Sequence, residues 1–173
     1  MQRRKFLKFG GGIGLAALGG GGVLFVRGTK MVPLPAQPLA YFSPREYAIF
    51  HAVAETVVHT GRSGPSIEKV QVALKADGVL ARSNEDAQRD FHRLLALFDN
   101  ALAGLFLCGT TAPFTQMSPE ARTAFLEKWE RHRLGVIRSG FQALKRLAVA
   151  AYYGSPETHA ALGYSGPPEK DPA

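Results

Sequence analysis

Apolar residues recur along this chain at three- and four-residue intervals and nowhere in strict alternation, a pattern that predicts helices and no strands. Ser43-Pro44-Arg45-Glu46 reads as a capping box with proline at the first helical position, and Tyr47, Phe50, Ala54, Val57 and Val58 follow on one face. A first helix to about Thr60 is expected. Gly61 to Pro65 break it, Ser66 can cap a second helix to about Ala81, and Ser83 with Asp86 opens a third. The stripe of Phe91, Leu94, Leu95, Phe98, Leu102, Leu105 and Phe106 carries that third helix unbroken to Gly109, which predicts the central core helix. After a loop over 110–117, Ser118-Pro119-Glu120 starts another helix with Phe125 and Trp129 facing inward. Gly135 and Gly140 are expected to interrupt or bend the pattern before a last helix bearing Phe141, Leu144, Ala148, Ala151 and Tyr152, closed by Gly154.

The expected architecture is therefore all-α, an irregular bundle of about five helices over residues 43–154, followed by a coil tail over 155–173 rich in glycine and proline. About 130 residues suffice for one domain and a core without metal or disulfide staples. Residues 31–42 read as a linker that Pro33, Pro35 and Pro38 keep extended.

Charge changes the reading of the N-terminus. Residues 1–30 hold six of the chain's 21 basic residues and no acid, so the rest carries 15 basic against 14 acidic residues. The body is nearly neutral, which removes the basic stripe that nucleic-acid binding needs. Arg3, Arg4, Phe6, Leu7 and Lys8, followed by the glycine-rich apolar stretch from Phe9 to Val26, form a twin-arginine export leader. The twin-arginine translocase moves proteins already folded, so a periplasmic destination is expected. No small-x-small cleavage site stands clearly after Val26: the leader is either removed or kept as an anchor to the cytoplasmic membrane. Gly12-Ile13-Gly14-Leu15-Ala16-Ala17 matches a dinucleotide-binding pattern by spelling only, because the first acid downstream is Glu46.

Candidate chemistry is sparse. His51, Glu55 and His59 stand at i, i+4 and i+8 on the first helix, and an independent metal-binding or enzymatic protein would be built on them. The outer two are about 12 Å apart along a helix axis, so at most an adjacent pair can share an ion. Cys108 is the only cysteine and sits at a helix end, either buried or paired with another chain, which rules out an internal disulfide and covalent c-type haem. Glu127 and Arg131 have the spacing of a helical ion pair. No catalytic, cofactor-binding or metal site is expected in this chain, so the cofactor that folded-state export suggests is assigned to a partner.

Taken in order, Ser43-Pro44-Arg45-Glu46-Tyr47, Ala54-Glu55-Thr56-Val57-Val58, Phe91-x-x-Leu94-Leu95-x-Leu97-Phe98, Ala151-Tyr152-Tyr153-Gly154-Ser155-Pro156 and Leu162-Gly163-Tyr164-x-Gly166-Pro167 resemble the gluconate 2-dehydrogenase subunit 3 family. The resemblance covers roughly residues 43–168. It implies a small non-catalytic subunit that aids export, maturation and stability of an FAD-bearing large subunit of the glucose-methanol-choline type, with a cytochrome c subunit or membrane quinone taking the electrons. One departure is that Val58 is followed by His59-Thr60 where members often have proline, which leaves the substrate open. Tyr152, Tyr153 and Tyr164, together with Cys108, are the candidate partner-docking residues, since aromatic rings bury area at low entropic cost. The competing reading is that the tyrosines pin the tail to their own bundle.

Overall fold

A computed structural model of the protein describes residues 29–58 and 64–164, with the side chains of Leu102, Ala160 and Leu162 left aside. Among them the fold is all-α, with no strand. The helices are α1 (Pro44–Val57), α2 (Ile67–Val70), α3 (Val72–Ala81), α4 (Glu85–Phe98), α5 (Ala101–Cys108), α6 (Pro119–Glu130), α7 (Gly135–Tyr153) and α8 (Pro156–Leu162), with a 3₁₀ turn at Phe114–Gln116. Five of these helices run ten residues or longer.

The core forms around α1 and α7, which pack on one another and on α3. The capping box at the start of α1 is present: Ser43 Oγ accepts from the Glu46 amide at 3.3 Å, and Glu46 Oε2 accepts from the Ser43 amide at 2.9 Å. Tyr47, Ala48, Ile49, Phe50, Ala52, Val53 and Ala54 are all buried, so α1 is enclosed on nearly every side. Full burial of a ring such as Phe50 contributes about 2–3 kcal/mol. This corrects the expectation that the third helix is central. The charged residues Asp86, Arg89, Asp90 and Arg93 keep α4 at the surface, where only Leu95 and Phe98 are fully buried.

Several boundaries differ from the sequence pattern. The expected long third helix is two: it is capped by Asn84, whose side chain takes the Ala87 amide, and it stops at Asp99. Asp99 and Asn100 divert the chain because their side chains bond elsewhere, Asp99 to Thr115 and Asn100 to the Ala103 amide at the start of α5. The apolar stripe loses its phase there, and Leu105 and Phe106 turn outward. The second helix is also split, by Gln71 at φ 56°, a left-handed residue that ends α2 and begins α3. The pattern does break before Gly135, which is the first residue of α7, but Gly140 does not interrupt that helix. A Cβ on Gly140 would sit 2.7 Å from Leu94 Cδ1, so the glycine lets α4 approach closely. The tail is not all coil either, since Pro156 at a first helical position begins α8. The first helix ends at Val57, and 59–63 lie outside the described residues.

Residues 29–42 have no regular secondary structure and lie against the helices, with Phe42 buried and Val32, Leu39 and Tyr41 packed on the core. Their backbone donors need partners that a helix would have supplied internally. Asp77, 1% exposed on α3, provides them: its Oδ2 accepts from the Ala40 amide at 2.7 Å, and its Oδ1 from the amides of Tyr41 at 2.9 Å and Phe42 at 2.6 Å. Asp99, also buried, accepts from the Thr29 hydroxyl at 2.7 Å and from the amide and hydroxyl of Thr115.

Hydrogen bonds to a buried charged acceptor are each worth about 1.5–3 kcal/mol, and unmet buried donors cost comparably. Asp77→Ala is expected to lower unfolding free energy by about 3 kcal/mol or more. Urea titration followed by circular dichroism reads this as an early midpoint with unchanged slope, and a loss below about 1 kcal/mol would show that water serves the three amides equally well.

Candidate functional site

Each acid and histidine on α1 meets a partner from another element. Glu55 Oε2 accepts from Arg122 Nη1 at 2.6 Å, while the same guanidinium donates through Nε to the Phe114 carbonyl at 3.3 Å and through Nη2 to the Thr115 carbonyl at 2.9 Å. Arg122 is buried, so it stitches α6 to α1 and to the 3₁₀ turn. His51 Nε2 lies 3.6 Å from Glu68 Oε1, and Glu46 is bonded to His92 Nδ1. These contacts turn His51 and Glu55 toward different neighbours, and among the described residues no group of three potential metal ligands converges. His59, the third residue of the proposed trio, lies outside the described residues.

A cleft of about 160 Å³ opens between α1 and the 29–42 segment, lined by Lys30, Val32, His51, Glu55, Thr115 and Arg122. Its strongest polar group is Arg122, already divided among a carboxylate and two carbonyls, so the cleft has little unspent hydrogen-bonding capacity. Without a strand among the described residues, there is also no strand-to-helix turn of the kind that seats a dinucleotide pyrophosphate.

The environments of the ionisable groups follow from these contacts. Burial, the largest influence on Glu46, raises its carboxyl, but hydrogen bonds from His92 and Ser43 together outweigh it and hold the carboxyl below its ordinary 4.5. Burial, helped by the Glu46 charge, pushes the Tyr41 phenol up to about 12. The Tyr41 hydroxyl donates to the Gln88 carbonyl. Burial also raises the Cys108 thiol, against the opposing pull of Lys128, which leaves it a poor nucleophile. Beside it the buried Trp129 indole N–H has no hydrogen-bond partner among the described residues: the thiol is close enough to feel it without meeting hydrogen-bond geometry. Trp129 belongs to an aromatic cluster in which the Phe98 centroid lies 4.6 Å from its own and 4.8 Å from that of Phe114.

The four docking candidates are placed differently. Tyr152 is buried, and its hydroxyl donates to the Pro65 carbonyl at 2.8 Å, so its ring braces α7 against the segment before α2. Cys108 is buried at the end of α5, where its carbonyl accepts from Lys128 Nζ at 2.8 Å. Tyr153 and Tyr164 are exposed. The Tyr153 ring stands edge-on to Tyr152 at 4.9 Å at the corner where α7 passes into α8, and Tyr164, just past the end of α8, stands edge-on to His159 at 5.0 Å. Lys75 fastens that corner to α3 through Ser155 at 2.8 Å and Glu157 at 3.0 Å. The export-signal residues Arg3, Arg4, Phe6, Leu7 and Lys8 lie outside the described residues. The Glu127–Arg131 ion pair is not formed, because Arg131 is where α6 stops.

Residues 44–166 match the family model for gluconate 2-dehydrogenase subunit 3. The chain belongs to that family. No curated protein and no solved structure matches it. The matched region begins at the first residue of α1 and runs past α8, so it takes in the whole helical bundle and the tyrosine corner. The family places the chain in a multi-subunit dehydrogenase. Sequence reasoning missed Asp77, Asp99 and Arg122 as the organising polar residues. The available signal was an acid at Asp77 inside the apolar run Val72, Ala73, Ala76, Leu80, where burial demands a dedicated set of donors.

Two measurements check this geometry. Because Glu55 is the exposed partner, Glu55→Gln should cost under about 1 kcal/mol, whereas Arg122→Met takes the arginine donor from the buried Thr115 carbonyl and one of two donors from that of Phe114, and should cost about 2–3 kcal/mol. Equal losses in urea would contradict the division. Glu46 has a depressed native value, so its stabilisation is present above about pH 4.5 and is lost as pH falls through that native value. Glu46→Gln is expected to flatten the fall in urea midpoint between neutral and acid pH, and curves that stay parallel would contradict the assignment.

Proposed function

We propose that the chain is the non-catalytic small subunit of a periplasmic or membrane-associated FAD-dependent dehydrogenase of the glucose-methanol-choline type, acting on a sugar or alcohol. It aids export, maturation and stability of the flavin-bearing large subunit, which relies on this chain's twin-arginine leader. The observation that carries the reading is the way reactive side chains are spent. Glu55, His51, Glu46, Asp77 and Asp99 all brace one element against another, and Arg122 does the same through one carboxylate and two carbonyls. Such a body works through its surface. Tyr153 at the α7–α8 corner and Tyr164 just past the end of α8, both outward, supply rigid rings of the type that dominate binding energy in interfaces. The family supports a place within a dehydrogenase complex.

Replacing Arg3 and Arg4 by lysine in a strain that carries the flavoprotein tests the export role. The flavoprotein is expected to remain in the cytoplasm, and its undiminished arrival in the periplasm would refute the proposal. Tyr153→Ala with Tyr164→Ala should then weaken co-purification of the flavoprotein by roughly tenfold or more, the scale of one interface hot spot.

A further inference from the structure

Phe106 is the most exposed large apolar side chain among the described residues, at 84%, and its neighbour Leu105 is 42% exposed. Both stand on α5, whose sequence Ala-Leu-Ala-Gly-Leu-Phe-Leu-Cys contains no polar side chain except the terminal thiol. A helix apolar on every side belongs against something apolar on every side, yet α5 presents these two residues outward.

The stretch that begins at the end of α6, the helix on which α5 packs, is basic. Of the 15 basic and 14 acidic residues after residue 30, the stretch 127–146 holds six and two, leaving nine and 12 for the rest. One bond joins this stretch to α5: Lys128 donates to the Cys108 carbonyl, two residues beyond Phe106, while Arg138 Nη1 folds back on the carbonyls of His132 and Arg133 within the stretch. Lys145 is neutralised by Glu130 at 3.2 Å, but among the described residues no acid pairs with Arg131, Arg133, Arg138 or Arg146. Leu134, 38% exposed, sits among them, and Arg138, Ser139, Gln142 and Arg146 with Glu130 line an open groove of about 470 Å³.

The chain's own exit point lies at the other end of α5. Thr29 is bonded to Asp99, two residues before that helix begins, and only Arg27 and Gly28 separate Thr29 from the apolar stretch ending at Val26. Three residues of extended chain reach about 10 Å. With that stretch embedded in a bilayer, the body is held within this distance of the lipid, and α5 is about 12 Å long at 1.5 Å per residue.

We propose that the Leu105–Phe106 tip of α5 and its basic border form a docking surface for an anionic phospholipid bilayer, with the apolar side chains entering the headgroup boundary and the arginines taking lipid phosphates. Aromatic and leucine residues bordered by Lys and Arg are the composition that partitions to such surfaces. The tyrosine corner is left clear. Arg138 and Tyr153 are 15 residues apart on α7, about 22 Å along one helix, so lipid and protein partners take opposite ends of the bundle. This inference stands apart from the subunit reading and does not need it.

The test uses the full chain with Phe106→Trp, a change at a solvent-exposed site that leaves the core untouched. Trp129, the only native tryptophan, is buried and serves as a constant background. On vesicles containing phosphatidylglycerol, the added emission is expected to move to shorter wavelength and to be quenched by brominated acyl chains, with a smaller shift at high salt because the border charges are screened. Arg131→Gln with Arg133→Gln should reduce the shift. Emission that stays that of a water-exposed indole on these vesicles, or that shifts only when the flavoprotein is added, would overturn the proposal. An equal shift on purely zwitterionic vesicles would overturn the role given to the arginines.

Discussion

Two buried carboxylates decide how this bundle is organised. Asp77 and Asp99 each collect donors from segments that have no helix of their own to bond to, and in doing so they fasten residues 29–42 and the 3₁₀ turn to the helices. A buried acid without donors would be expensive, and so would three buried amides without an acceptor. Each therefore makes the other tolerable. The consequence reaches α1: with Phe42 held on Asp77, Ser43 is delivered as its cap and the apolar residues from Tyr47 to Ala54 enter the core in one register. Asp99 has a second effect, since ending α4 there turns Leu105 and Phe106 outward.

Local signals in the sequence were read well where the cause is local. The caps at Ser43, Ser66 and Ser118 accept the amides expected of them, because a serine oxygen two or three residues from an unsatisfied N–H needs no tertiary help. Trp129 and Phe125 point inward as the period requires. What could not be read depends on distant partners. The break at Asp99 exists because Thr115 and Thr29 arrive from elsewhere to bind it, and nothing in the stripe from Phe91 to Phe106 announces them. Gly140 looked like an interruption, yet its purpose is the approach of Leu94 on another helix. At the candidate site the tyrosines at the chain's end were visible as a cluster, but only packing separates Tyr152, which braces the core, from Tyr153 and Tyr164 at the surface. The spacing of His51 and Glu55 suggested a shared ligand, and Glu68 and Arg122 draw them apart.

The functional account follows from where polarity has gone. Membership of the gluconate 2-dehydrogenase subunit 3 family sets the chain inside a dehydrogenase complex. Within the described residues, Glu46, His51, Glu55, Asp77, His92, Asp99 and Arg122 serve as internal fasteners, while the outward features include the Tyr153 ring at the end of α7 and the apolar Leu105–Phe106 tip of α5. No helix among the described residues is long and apolar enough to cross a membrane.

Native mass spectrometry of the full chain purified with its dehydrogenase, followed by gentle dissociation, tests the central claim that the redox group resides in another polypeptide. The account expects every flavin mass to leave with the large subunit and this chain to appear at the mass of its polypeptide alone. Flavin or any other tightly held prosthetic group retained on this chain would contradict it.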